Sequence, residues 1–171
     1  LNLHKGEVLG LIGESGAGKS TFGLASMAYT RQGCRIASGS IVFDGRELFG
    51  APESELRELR GARIAYVAQS AAASFNPAHR LIRQYAEAPV QHGIMSNAEA
   101  EEKAVATYEQ LLLPDPENIG YRFPHQVSGG QLQRAMVAMA MSCQPDIIIF
   151  DEPTTALDVT TQIEVLAAIK E

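Results

Sequence analysis

Eight residues, Gly13-Glu14-Ser15-Gly16-Ala17-Gly18-Lys19-Ser20, have the spacing G-x-x-x-x-G-K-[ST], and phosphate binding accounts for each residue type. The glycines let the backbone wrap closely around phosphate oxygens with its N–H groups pointing inward, and a helix N-terminus behind them favours an anion. Lys19 adds a positive charge for the β- and γ-phosphates. Ser20 adds a hydroxyl for Mg²⁺, which prefers oxygen ligands and keeps several of its waters. A second feature stands far downstream, where the β-branched run Ile147-Ile148-Ile149-Phe150 ends at Asp151-Glu152. It predicts a buried strand that delivers two carboxylates to its C-terminal edge, where ligands gather in open α/β sheets. Combined with a phosphate loop, Asp151 is expected in a Mg²⁺ shell, and Glu152 is expected to orient or deprotonate a water attacking a γ-phosphate. Neighbouring carboxylates are costly unless a cation or hydrogen bonds compensate, as Mg²⁺ does.

A third feature is Val127-Ser128-Gly129-Gly130-Gln131, which precedes a helical pattern. Its hydroxyl, bare glycine backbone and positive helix end suit an anion. Taken alone it is an ordinary Ser-Gly helix cap.

These groups need elements to hold them. The apolar run Val8-Leu9-Gly10-Leu11-Ile12 reads as a buried strand leading into the phosphate loop, and residues 21–29 as the helix leaving it. Ser40-Ile41-Val42-Phe43 reads as a strand ending at an Asp44-Gly45 hairpin turn, followed by a charged helix over 53–60. Residues 64–68 read as a second buried strand with Gln69 at its end. Helices are expected over 81–88 and 96–113, the latter opened by a Ser96/Glu99 capping box and closed by Pro114 and Pro116. Another is expected from about 129 to 142. Ile163, Leu166 and Ile169 continue a helical pattern to Glu171 without a stop signal, and the chain opens on Leu1, so both ends read as cut.

Composition bounds the partners. The 171 residues are those of one ordinary domain or a large piece of one. Fourteen basic against 20 acidic residues give −6, which argues against a broad nucleic-acid or anionic-membrane surface. Cys34 and Cys143 are too few for a metal cluster or a disulfide framework, so a reducing compartment is expected, with Cys143 packing in an apolar stretch. No apolar run approaches the ~20 residues that span a bilayer. A cytosolic location is expected unless a partner holds the chain at a membrane.

Gln69, Ser128 to Gln131, Asp151-Glu152 and Ala156-Leu157-Asp158 follow the phosphate loop in the order found in ATP-binding-cassette (ABC) ATPases, which the chain resembles over essentially its whole length. The resemblance implies an α/β fold, a P-loop NTPase (RecA-like) core with a small antiparallel β part and a helical insertion. Residues 1–69 and 143–171 would form the core and β part, and 70–142 the helical part with the signature helix. It implies ATP and Mg²⁺ as cofactors. Gly13, Glu14, Ser15, Gly16, Ala17, Gly18, Lys19, Ser20 and Thr21 would hold the phosphates. Ser20, Gln69 and Asp151 would serve the metal, and Glu152 with Gln69 the catalytic step. Ser128, Gly129, Gly130 and Gln131 would contact the nucleotide of a second ATPase subunit, with Asp158 linking the two sites. Val127 departs from the family's usual leucine, a conservative change. An adenine-stacking aromatic upstream and a γ-phosphate-sensing histidine beyond Glu152 are not in the sequence, and residues outside it are expected to complete the sheet. His125, just before the signature, is expected to be a helix-entry residue.

Within that family the chain is similar to ATPases of the peptide and nickel importer group, through Gly13-Glu14-Ser15-Gly16, Ser74-Phe75-Asn76-Pro77, Phe123-Pro124-His125-Gln126 and the run from Asp151-Glu152-Pro153-Thr154-Thr155 to Asp158-Val159-Thr160. Ser70-Ala71-Ala72-Ala73 is blander than that group's usual sequence. The likeness implies ATP hydrolysis that powers an importer of peptides or related solutes. The ATPase would pair with a like or different ATPase, dock on integral membrane permeases at the cytoplasmic face of the membrane, and serve an extracytoplasmic solute-binding protein indirectly. A non-transport cassette ATPase acting on nucleic acid or ribosomes is the alternative. It calls for a coiled coil, a basic surface or a tandem cassette, and the sequence carries neither of the first two, so no nucleic-acid partner is expected.

Overall fold

The computed structural model describes residues 1–152; Asp158 and the periodic run through Ile169 lie outside them. The backbone forms two compact units, the first Leu1–Arg60 and the second from Gly61 onward.

In the first unit, helix α1 spans Lys19–Ser26 and begins at Gly18, whose φ of 93° is open to glycine without strain. It starts two residues before the predicted helix and ends three before it, where Ala28 turns left-handed at φ 52°. Arg60 holds that end. Its Nε and Nη2 donate to the carbonyls of Met27 and Ala28 at 3.1 and 2.7 Å, and its guanidinium lies over the Tyr29 ring. A cation is thereby placed where the helix dipole is negative. Strands β1 (Val42–Phe43) and β2 (Arg46–Glu47) form the predicted antiparallel hairpin. Asp44 and Gly45 both have positive φ, 50° and 75°, as a type I′ turn requires. Helix α2 covers Glu53–Leu59, with Arg60 as its C-cap.

The expected strand over residues 8–12 does not form: the segment carries no strand structure, and Val8 and Ile12 are 86% and 102% exposed. An extended segment is stabilised by a ladder partner and a covered face, and neither is present for it among the described residues.

The second unit is organised on a parallel pair, β3 (Ile64–Val67) and β4 (Ile147–Phe150), in register Ile64↔Ile147 to Val67↔Phe150. Between them the chain makes α3 (Ala71–Ser74), α4 (Leu81–Gln91), α5 (Asn97–Gln110), α6 (Pro116–Ile119) and α7 (Gly129–Met141). Ser96 and Glu99 form the predicted capping box, with Glu99 Oε2 accepting from the Ser96 N–H at 2.8 Å. Helix α4 continues past the expected stop, through Pro89. Pro89 sits in its last turn, where its carbonyl accepts from the N–H groups of Ile94 and Met95, so the helix end is closed from beyond the proline.

Two carbonyls of the chain after α6 complete the start of α4: Leu81 N–H donates to Arg122 and Ile82 N–H to Gly120, at 3.0 and 2.7 Å. Gly120 allows this approach. A Cβ there would stand 3.2 Å from both Ile82 Cβ and Tyr108 Cε2. The core joins Val67 to Tyr85, Tyr108, Leu111, Leu132 and Met136. Each large aliphatic side chain in it contributes about 1.5–3 kcal/mol. Tyr85 and Tyr108 meet edge to face at 5.7 Å, and the Tyr85 hydroxyl bonds Thr107 Oγ1 at 3.0 Å. Cys143 is buried, as expected, and burial raises its thiol pKa. Among the described residues no helix is long and apolar enough to cross a membrane.

Candidate functional site

The phosphate loop lies in the first unit. Gly16 and Gly18 have φ of 84° and 93°, and the Ala17 N–H donates to the Glu14 carbonyl at 3.1 Å, so the loop curls back on itself ahead of α1. Gly13 faces that curl: a Cβ on it would come within 3.2 Å of Ala17 Cβ. Lys19 Nζ donates to the carbonyls of Gly13 at 2.8 Å and Glu14 at 3.1 Å. The ammonium is thus held across the mouth of the loop. Helix α1 has no side-chain cap, whereas α5 and α7 both open with capping boxes. Residues 13–18 are exposed, Lys19 and Ser20 half-buried. The loop therefore offers uncapped amide groups, a cation and a hydroxyl within one turn of chain, a donor set for phosphate.

The acidic strand tip lies in the second unit, and the β3/β4 register explains its geometry. Paired residues differ by 83 in number, and so do the side-chain partners just beyond each end. Arg63 Nε donates to Asp146 Oδ2 at 2.8 Å before the strands begin, and Gln69 Nε2 donates to Glu152 Oε2 at 2.8 Å after they end. The Asp151 N–H donates to the Val67 carbonyl at 2.9 Å, carrying the ladder one residue past β4. Asp151 Oδ2 accepts from the Tyr66 hydroxyl at 2.7 Å. Glu152 is left-handed at φ 50°, a conformation that costs a non-glycine residue about 1–3 kcal/mol and recurs at functional sites.

The structure thus brings Gln69, Asp151 and Glu152 to one sheet edge, as their positions in the sequence predicted. Tyr66 was missed. Its only signal is that it precedes Gln69 by three and sits in β3, which means nothing until the register is known.

Ser128 and Gln131 build a capping box on α7: Gln131 Oε1 accepts from the Ser128 N–H at 2.9 Å, and Ser128 Oγ accepts from the Gln131 N–H at 3.3 Å. The ordinary helix-cap reading is realised, yet it leaves anion chemistry open. Both side chains use an oxygen as acceptor in the box, so the Ser128 O–H and the Gln131 amide hydrogens remain as donors. An open pocket of about 300 Å³ lies beside this helix start, lined by Gln69, Ser70, Ala71, Gly129, Leu132 and Gln133. His125 sits in a 3-10 turn (Pro124–Gln126) with its ring stacked on Phe123, 5.6 Å between centroids.

A solved structure titled as the dimeric post-hydrolysis state of the ATP-binding cassette MJ0796 bound to ADP and Pi superposes on the chain with a TM-score of 0.86. The two are 27% identical, over 99% of this chain and 70% of that one. The fold is therefore that of an ATP-binding cassette, an α/β P-loop NTPase. The chain belongs to the ABC transporter family, whose profile matches residues 1–155. Among its curated relatives, the "Probable peptide ABC transporter ATP-binding protein y4tR" of Sinorhizobium fredii is 45% identical over 172 residues, 99% of this chain and 51% of that protein. The oligopeptide transport ATP-binding protein OppD of Escherichia coli is 42% identical over 170 residues, 99% of this chain and 50% of its own length. The chain spans about half the length of the curated relatives it matches.

Proposed function

We propose that this chain is the ATP-binding and ATP-hydrolysing part of a subunit that powers an importer of peptides or related small solutes. The observation that carries the reading is the strand tip, where Gln69 holds Glu152 at 2.8 Å beside Asp151. A carboxylate that accepts from a neighbouring amide is held in one direction, which a general base needs.

In this reading the phosphate loop, residues 13–21, grips the triphosphate through its backbone N–H groups and Lys19. The bonds of Lys19 Nζ to the Gly13 and Glu14 carbonyls hold the ammonium at the loop, where the phosphates would meet it. Ser20, Gln69 and Asp151 serve Mg²⁺. Their hydroxyl, amide and carboxylate oxygens fit a hard cation. Among the described residues no group of three His, Cys, Asp or Glu is gathered for a metal. When bound, Mg²⁺ supplies neutralising charge to the β- and γ-phosphate oxygens. Glu152 takes the proton of the attacking water through its carboxylate, while Gln69 keeps that carboxylate turned toward the strand edge.

Ser128, Gly129, Gly130 and Gln131 turn their remaining donors to the nucleotide of a second ATPase subunit, identical or related, with Asp158 joining the two sites. The segment after Gln69 and the helical part, 70–142, dock on integral permeases at the cytoplasmic face of the membrane, and the extracytoplasmic binding protein is served through them. The names of the peptide-transport relatives support this choice of cargo.

The test is Glu152→Gln in the full-length protein. Gln keeps an oxygen to accept from Gln69 but cannot take a proton. Steady-state phosphate release should fall by about 10²–10⁴-fold, with ATP affinity held within a few-fold. Lys19→Ala should instead weaken nucleotide binding itself. Unchanged turnover in Glu152→Gln would overturn the catalytic assignment.

A further inference from the structure

Among the described residues, Tyr66 is a polar side chain at the strand tip that the proposed function leaves without a role, and its position follows from the register. Tyr66 is paired with Ile149 across β3/β4, and Asp151 lies two residues beyond Ile149. Side chains two apart on a strand share a face, about 6.6 Å further along it. A phenol lying along the strand covers that span and ends at the carboxylate, as the 2.7 Å bond to Oδ2 records. A phenolic hydroxyl donates and a carboxylate oxygen accepts, so the two groups are matched partners. Tyr66 is half-buried, its backbone in the ladder and its neighbours Ala65 and Val67 buried, so the donor is held by a rigid strand.

Resting on the reading of Asp151 as a metal-serving carboxylate, we propose that Tyr66 is a positioning residue: its hydroxyl fixes the orientation of Asp151 from behind the sheet edge, so that the carboxylate meets a divalent cation already aligned. Partners of this kind behind a ligating group commonly account for about 10–100-fold in metal affinity.

The test uses Mn²⁺ as the probe and Tyr66→Phe in the full-length protein. Mn²⁺ affinity is read by electron paramagnetic resonance in the presence of ATP, ATP affinity is read separately in EDTA, and melting is followed alongside. Tyr66→Phe should weaken Mn²⁺ binding about tenfold at the low end of that range and leave metal-free ATP binding unchanged. Tyr66→Met, which also lacks the hydroxyl but packs differently, should lose Mn²⁺ affinity to the same extent. A loss that instead follows the melting temperatures of the two variants makes the effect one of packing and overturns the inference. Asp151→Asn separates the two levels. If it loses Mn²⁺ affinity while Tyr66→Phe stays within twofold of wild type, the inference fails and the reading of Asp151 stands. If Asp151→Asn retains Mn²⁺ affinity, that reading fails and takes the inference with it.

Discussion

Ser128 is proposed to do two jobs, capping α7 and donating to a nucleotide, and two substitutions separate them. The cap depends on the Ser128 oxygen as an acceptor for the Gln131 N–H, at 3.3 Å the long end of such bonds. Ser128→Ala removes it and should cost about 0.5–1 kcal/mol, the lower part of the N-cap range, or roughly 1–4 °C in melting temperature for a domain of this size. Ser128→Asp keeps the acceptor and adds a negative charge at a helix N-terminus, which is favourable by about 0.3–1 kcal/mol. Its stability should match or exceed wild type. Toward a bound nucleotide the ordering reverses. Aspartate has no hydrogen to donate and opposes phosphate at close range, about 1 kcal/mol at 4 Å in bulk water and about 4 kcal/mol at the dielectric of a protein surface. Ser128 is exposed in this structure, so the smaller figure is the floor. ATP-dependent association of the full-length Glu152→Gln protein, measured by sedimentation, should weaken at least fivefold in Ser128→Asp and less in Ser128→Ala. Full association of Ser128→Asp would refute the argument that the donor side of this residue faces an anion.

Two further outcomes follow from packing and charge. Gly120→Ala would bring a methyl within 3.2 Å of Ile82 and Tyr108 and push on the carbonyl that serves the Ile82 N–H, so it should destabilise the second unit by about 1–3 kcal/mol in urea unfolding. Glu47 accepts from Ser40 Oγ and from the N–H groups of Ile41 and Phe49, and these bonds, Ser40 first, lower its pKa below the ordinary 4.5. A lowered folded pKa means the native state binds fewer protons there, so the stabilisation is complete above the ordinary value and is lost as pH falls through the folded one. Wild type should exceed Glu47→Gln in stability at neutral pH, and the two acid-unfolding curves should converge in that window.

Local signals in the sequence carried far. The Ser96/Glu99 box, the Asp44-Gly45 turn and the run at β4 each act over four residues or fewer and each forms its element, although β4 is half-buried along its length where a buried strand was expected. Signals that depend on a distant partner carried less. Val8 to Ile12 has the composition of a buried strand, but a strand is made by its neighbour, and none pairs with it among the described residues. The helix read over 81–88 runs on to Gln91, and the bonds that close its end come from the N–H groups of Ile94 and Met95, beyond it in the chain. At the candidate site the residue types were legible and their partnerships were not. Gln69 with Glu152 and Tyr66 with Asp151 are 83 and 85 residues apart, and only the parallel register of β3 and β4 joins them.

The shared register of β3 and β4 also bears on how the chain is divided. The bonds of Tyr66 to Asp151 and of Gln69 to Glu152 are made between two short segments lying side by side, although a long helical excursion separates those segments in sequence. Insertions in the loops of that excursion that keep its helices packed on β3 and β4 should therefore leave both bonds standing.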